Sequence, residues 1–115
     1  MLYLLWWCKL DVEELLDLLH RSVKKKNYDL VPTVKNRNSR RKYGLTLLEI
    51  EDFLKGITKE ELFKGPVQDR DVPGEEVYIF KKNIKENVTF YVKIKKDNSV
   101  DYDRIKILSI HEDES

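Results

Sequence analysis

Apolar positions follow two different periods along this chain, and the change of period falls within one short stretch. Before residue 62 they recur at helical spacing. Asp11 followed by Glu14 has the form of a capping box, and Leu15, Leu16, Leu19 and Val23 then mark one face of a helix running to about Lys25. Lys24, Lys25 and Lys26 fall in its last turn, where positive charge suits the carbonyl end of a helix. Thr46 with Glu49 repeats the signature and opens a helix whose Leu47, Ile50 and Leu54 are expected to face inward, ending at Gly56. Thr58 with Glu61 repeats it again, opening a brief turn that delivers Leu62, Phe63 and Lys64.

Between the first two helices, Tyr28 to Val34 is short, β-branched and interrupted by Pro32, which suits an edge strand. Lys35, Arg37, Arg40, Arg41 and Lys42 follow within eight residues, spaced by Asn36, Asn38 and Ser39 and undiluted by any acid. Gly44 closes the short helix this segment makes.

Leu62 to Gly74 holds two of the three prolines and two of the four glycines, so helix cannot cross it. Beyond it the apolar residues alternate as in strands. The cleanest run places Val88, Phe90, Val92 and Ile94 on one face and Thr89, Tyr91, Lys93 and Lys95 on the other. Glu76 to Ile84 and Arg104 to His111 flank it, with turns at 85–87 and 97–101, which is the spacing of an antiparallel meander. The expected fold is therefore α+β, with N-terminal helices packed on one face of an antiparallel sheet. The other face is left open. With Leu108 and Ile110 assigned to the core, His111 and Ser109 join Tyr91, Lys93 and Lys95 on that open face, and Glu112 to Ser115 is read as a frayed acidic tail.

A chain of 115 residues suits one domain, and 41% hydrophobic with 37% charged residues describes a globular protein with a crowded ionic surface. The net charge of +1 leaves nucleic acid open, because phosphate binding needs a local basic patch and not a basic protein. The single Cys8 excludes an internal disulfide and a Cys-rich zinc site, and two histidines make no HExxH pair; a reducing, cytoplasmic setting is the default. The apolar opening, Met1 to Leu10, lacks a basic leading region and a small-residue cleavage site and is too short for a membrane span. It reads as a helix start or packing arm, with a partner-binding surface or an upstream start-codon artefact as the alternatives.

No Gly-rich phosphate loop, nucleophile elbow or pocket-like carboxylate pair is present, and Asp69 with Asp71 around Arg70 reads as a charged turn. What remains is Lys64, Tyr91, Lys93 and His111, beside the basic segment from Lys35 to Lys42. That set fits RNA cleavage without a metal. A 2'-hydroxyl attacks its own phosphate, so the protein need only move protons and neutralise charge. Histidine moves protons near neutral pH, lysine stabilises the phosphorane, and tyrosine positions the phosphate or stacks on a base. The same residues also describe a solvated sheet face carrying a histidine with no role, and by pattern alone that is the simpler reading.

Gly44-Leu45-Thr46, Phe63-Lys64-Gly65-Pro66, Asp69-Arg70-Asp71 with Pro73-Gly74, Val77-Tyr78-Ile79-Phe80, Tyr91-Val92-Lys93-Ile94 and Ser109-Ile110-His111 resemble, in order and spacing, the MqsR family of toxins. The resemblance runs from about Val34 to His111. It implies a RelE-like fold and an mRNA interferase of a type II toxin-antitoxin system, working without a cofactor on mRNA and silenced by a cognate antitoxin protein. The ribosome is left open as a further partner, and no membrane is implied. Carried over by position, the catalytic lysine falls on Lys64 and the catalytic tyrosine on Tyr91. His111 stands where the best-known member has a lysine, and Ile79 where it has a glutamine. The resemblance also implies that Lys35, Arg37, Arg40, Arg41 and Lys93 hold the RNA backbone, with Tyr78 adding an aromatic contact.

Overall fold

The computed structural model describes residues 10–114; of the expected apolar arm, Met1 to Leu10, all but Leu10 lies outside the described residues, Cys8 included. Helix α1 spans Val12–Lys24 and helix α3 Leu47–Lys55, each opened by a complete capping box, Asp11 with Glu14 and Thr46 with Glu49. Between them lie strand β1, Tyr28–Leu30, and helix α2, Val34–Lys42. A 3-10 turn at Lys59–Glu61 leads into β2, Leu62–Gln68, and then β3, Glu76–Lys85, β4, Val88–Lys96, and β5, Ile105–Glu112. The domain is α+β, with one five-stranded sheet in the order β1-β5-β4-β3-β2.

The core lies between the sheet and the pair α1 and α3. Leu15, Leu19, Ile50, Leu54 and Ile57 meet Phe80, Phe90, Val92, Ile94, Ile105, Ile107 and Ile110 there, all essentially inaccessible to solvent. Each such side chain contributes about 1.5–3 kcal/mol by leaving water, so this layer is the main source of stability. His20 on α1 adds a polar tie, its Nε2 lying 3.2 Å from the Ile57 carbonyl. Phe53 fills the core-facing stripe of α3, whereas Leu47, expected inside, is 53% exposed in the first turn of the helix.

Four expectations are corrected. The sheet is mixed, because β1 runs parallel to β5 while the other neighbours are antiparallel. The break at Leu62 to Gly74 contains a strand. Gly65 and Pro66 are accommodated because β2 is the edge strand, where a missing N–H and register shifts are tolerated. Gly65 is required there: with φ at +140°, an added Cβ would lie 2.9 Å from the Tyr78 Cα. Helix α2 does not pack on the sheet face, since its buried side chains are the polar Asn36 and Ser39. Finally, Glu112 belongs to β5 and the Asp113 N–H donates to the Thr89 carbonyl at 2.9 Å, so the acidic tail is ordered past the point where fraying was expected.

Helix α2 lies along the free edge of β5, where β1 leaves off, and its side chains replace the missing strand. Asn36 Nδ2 donates to the carbonyls of Val31 (2.9 Å) and Leu108 (3.3 Å), and its Oδ1 accepts from the Ile110 N–H (2.9 Å). Ser39 Oγ accepts from the Glu112 N–H at 2.8 Å. An edge that would otherwise present bare backbone donors and acceptors is thereby satisfied without a sixth strand.

Candidate functional site

Strand β5 changes phase partway along. Ile105 and Ile107 face the core, and strict alternation would send Ser109 and His111 inward after them. Instead Lys93 pairs with Ser109 while its neighbour Ile94 pairs with Ile107, so Leu108 is an extra residue, a β-bulge. From there Ile110 returns to the core and His111 turns to the open face, opposite Tyr91. The expectation for His111 is met, but not through a core Leu108, which is only half-buried.

Two cross-strand rows follow on that face. Lys81, Tyr91 and His111 form one, and Lys64, Ile79, Lys93 and Ser109 the other. The Tyr91 and His111 rings are stacked, with centroids 5.3 Å apart and planes inclined by 17°. His111 Nδ1 lies 3.0 Å from the Glu112 carbonyl, which can only accept; Nδ1 therefore carries the proton and Nε2 is left as the basic position. Lys81 sits 3.1 Å from Asp113 and 4.0 Å above the ring of the exposed Phe63.

Tyr91, Lys93, Ser109 and His111 line an open cleft of about 570 Å3 with Thr33, Val34, Lys35, Arg70, Asp113 and Glu114. Three cations, Lys35, Arg70 and Lys93, face two carboxylates there, one of which, Glu114, lies 3.8 Å from Lys35. The first turn of α2 borders the same cleft, so its N-terminal dipole adds to the positive side. At the end of β5, Lys42 Nζ (2.8 Å) and Tyr43 OH (2.6 Å) donate to Glu112. These bonds hold the Glu112 carboxyl below its ordinary range, and the Tyr43 hydroxyl is correspondingly raised.

Not every residue singled out from sequence arrives here. Lys64 is exposed on β2, three strands from Ser109 and His111, which at ~4.8 Å per strand puts about 14 Å between their backbones. It is on the expected face but outside the cleft. Tyr78 is on the wrong face for RNA: it alternates with the core residue Phe80, is 2% exposed, and its hydroxyl donates to the Leu10 carbonyl. Burial pushes that hydroxyl up to about 12. The basic segment is divided by the helical turn. Lys35 borders the cleft, while Arg37 and Arg40 line a separate 50 Å3 pocket with Leu30, Ile50 and Ile110 on the core side; Arg41 is exposed and lines neither.

Lys95 shares the open face but is covered, being only 6% exposed. Residues 69–75 fold back over it, and its ammonium donates to Asp69 Oδ2 at 2.7 Å and lies 2.5 Å from Glu75 Oε1. The same loop carries Arg70 into the cleft, a residue that the sequence reading placed in a charged turn and not in a site. Burial opposes both charges, but the hydrogen bonds outweigh it, holding Asp69 below and Lys95 above their ordinary values. Among the described residues, no group of three or more His, Cys, Asp or Glu side chains could hold a metal ion, and no helix is long and apolar enough to cross a membrane.

No protein-family model matches the chain, and neither a curated protein nor a solved structure matches it.

Proposed function

We propose that this protein is an endoribonuclease of the mRNA interferase kind, a toxin of a type II toxin-antitoxin system resembling the MqsR family, with a RelE-like fold and a cytoplasmic site of action. The observation that carries the reading is the pairing of His111 with Tyr91 on the open sheet face, inside a cleft edged by Lys93, Lys35 and Arg70. An imidazole with a basic Nε2, a phenol and several cations are what cleavage by a neighbouring 2'-hydroxyl requires.

In this scheme the 2'-oxygen bonds to phosphorus and the bond from phosphorus to the 5'-oxygen breaks, leaving a 2',3'-cyclic phosphate and a 5'-hydroxyl. His111 Nε2 takes the proton of the 2'-hydroxyl, and the leaving 5'-oxygen takes one from water in the open cleft. Lys93 neutralises the phosphorane, and Tyr91 both stacks on the His111 ring and hydrogen-bonds the phosphate. Lys64, given its place on β2, meets a neighbouring phosphate of the same strand.

A second reading is a non-catalytic RNA-binding module on the same fold. The distance of Lys64 from His111 and the apolar Ile79 between the two lysine-bearing strands favour it. Purified protein incubated with a long, structure-poor RNA in excess chelator separates the two. Cuts ending in cyclic phosphate, reduced by a factor of about 10²–10⁴ in His111→Ala, support the nuclease. RNA that is bound, in a salt-dependent way, yet left intact supports the module.

A further inference from the structure

We propose that Arg70 is a phosphate-contacting residue of the cleft, and that Lys95 is the positioning residue that holds it there through the 69–75 loop. The proposal deepens the RNA-directed reading of the cleft and rests on it.

Lys95 is itself too buried to touch a ligand. It continues the alternation of Tyr91 and Lys93, so it sits beneath the part of the open face that the loop covers. Its two partners are the two ends of that loop, and the Asp69 N–H also donates to the Glu75 carbonyl at 2.8 Å. Asp69 Oδ1 then accepts from the Asp71 N–H at 2.9 Å, spanning Arg70. The residue between these two anchors has little choice of direction. Residues 70–74 are otherwise exposed, and Gly74 has φ +87°, so the loop has no apolar anchor of its own to fix it.

Two buried charges, Lys95 and Asp69, with the half-buried Glu75 beside them, are a costly way to close a turn. Removing an ammonium and carboxylates from water is offset only when geometry is tight, and apolar packing would do the same work at least as well. What the ionic arrangement adds is orientation. Among the described residues Arg70 enters no ion pair, although carboxylates border the same cleft. A planar guanidinium with its donors unspent, held beside Lys93 and His111, suits an incoming phosphodiester oxygen. A lysine above would serve less well, because only the fork can take two oxygens of one phosphate.

The test is binding of a single-stranded oligoribonucleotide, followed by fluorescence anisotropy across a salt series in excess chelator. Arg70→Ala is expected to weaken binding about tenfold and to flatten the log–log salt slope by about 0.7, the share of one phosphate contact on a single strand. Lys95→Met should reproduce both effects, add nothing when combined with Arg70→Ala, and be rescued by Lys95→Arg. A merely structural lysine would leave the salt slope unchanged. Asp69→Asn keeps the size and the acceptor for Asp71, and carries the same expectation should Lys95→Met fail to fold. Wild-type affinity and slope in Arg70→Ala would overturn the contact, and additive losses in the double variant would overturn the positioning role. If the wild-type protein binds no RNA, the RNA reading fails first. Inorganic phosphate titrated against the Arg70 Nε–H resonance then decides the anion contact alone: a shift in wild type that is lost in Asp69→Asn supports it, and no shift in wild type overturns it.

Discussion

Asn36 and Ile110 are joined by a hydrogen bond of 2.9 Å, from the Ile110 N–H to the Asn36 side-chain oxygen, across 74 residues of sequence. The same carboxamide donates to the Leu108 carbonyl, so a single side chain holds both sides of the bulge that turns His111 toward Tyr91. The candidate site therefore depends on a residue on the far side of the sheet edge that never enters it.

Asn36→Ala would strip the Ile110 N–H and the Leu108 carbonyl of their side-chain partner, while the Val31 carbonyl keeps the Thr33 N–H, at a cost of ~3 kcal/mol. Asn36→Asp keeps the acceptor but loses both donor contacts, and is expected to fall between the two. Denaturant midpoints give the stability change, and the nuclear Overhauser effect between the Tyr91 and His111 rings reports the phase of β5. A register slip of one residue would send His111 inward and abolish that ring contact. Unchanged stability and an unchanged ring contact in Asn36→Ala would remove the bulge-holding role.

This dependence also explains what was legible in the sequence. The capping boxes at Asp11, Thr46 and Thr58 were readable because each is a contact three residues long. The phase of β4 was readable because its two faces differ so sharply in polarity. The phase of β5 was not, because Leu108 is set by a helix elsewhere in the chain; the right face for His111 was reached through a wrong core assignment. Lys95 was placed on its correct face, but the loop that covers it folds back from residues 69–75, a contact that alternation does not encode. Strand β2 was hidden by Gly65 and Pro66, which argue against a central strand and are harmless on an edge. Two misreadings were avoidable. Tyr78 stands two residues before Phe80 and so shares its buried face, and at about 100° per residue Arg37 and Arg40 lie roughly 160° and 140° around a helix from Lys35.

The Lys95 ion pairs carry a pH dependence whose sign follows from the two shifts. Asp69 titrates below its ordinary value when folded, so its stabilisation is present above that value and is lost as pH falls through the lowered one. Lys95 titrates above its ordinary value, so its share is complete below that value and is lost as pH rises through the raised one. Between the two the loop is held fully. The stability difference between wild type and Asp69→Asn should thus be largest at neutral pH and shrink toward acid. Denaturant midpoints from about pH 2 to pH 7 span the range in which a carboxyl changes charge. A difference that stays constant over that range would mean that Asp69 acts by packing alone.

Lys93 and Lys64 are expected to fail differently when truncated, although both lie in the row through Ile79. Lys93 is one strand from Ser109 and borders the cleft with His111, close enough for its ammonium to meet the charge that develops on the scissile phosphate. Lys64 is two strands further out, about 10 Å of backbone spacing, beyond the same phosphate but within reach of the next along an extended strand. Lys93→Ala should therefore lower turnover by about 10²–10³ with a modest change in KM, the mark of charge stabilised only in the transition state. Lys64→Ala should raise KM and flatten the salt dependence of binding, with turnover at saturating RNA largely kept. The opposite outcome, turnover lost at Lys64 and kept at Lys93, would move the reacting phosphate to the β2 edge and leave His111 too distant to take the 2'-hydroxyl proton. Single-turnover rates at saturating enzyme, measured for both variants on one oligoribonucleotide, distinguish these outcomes without interference from product release.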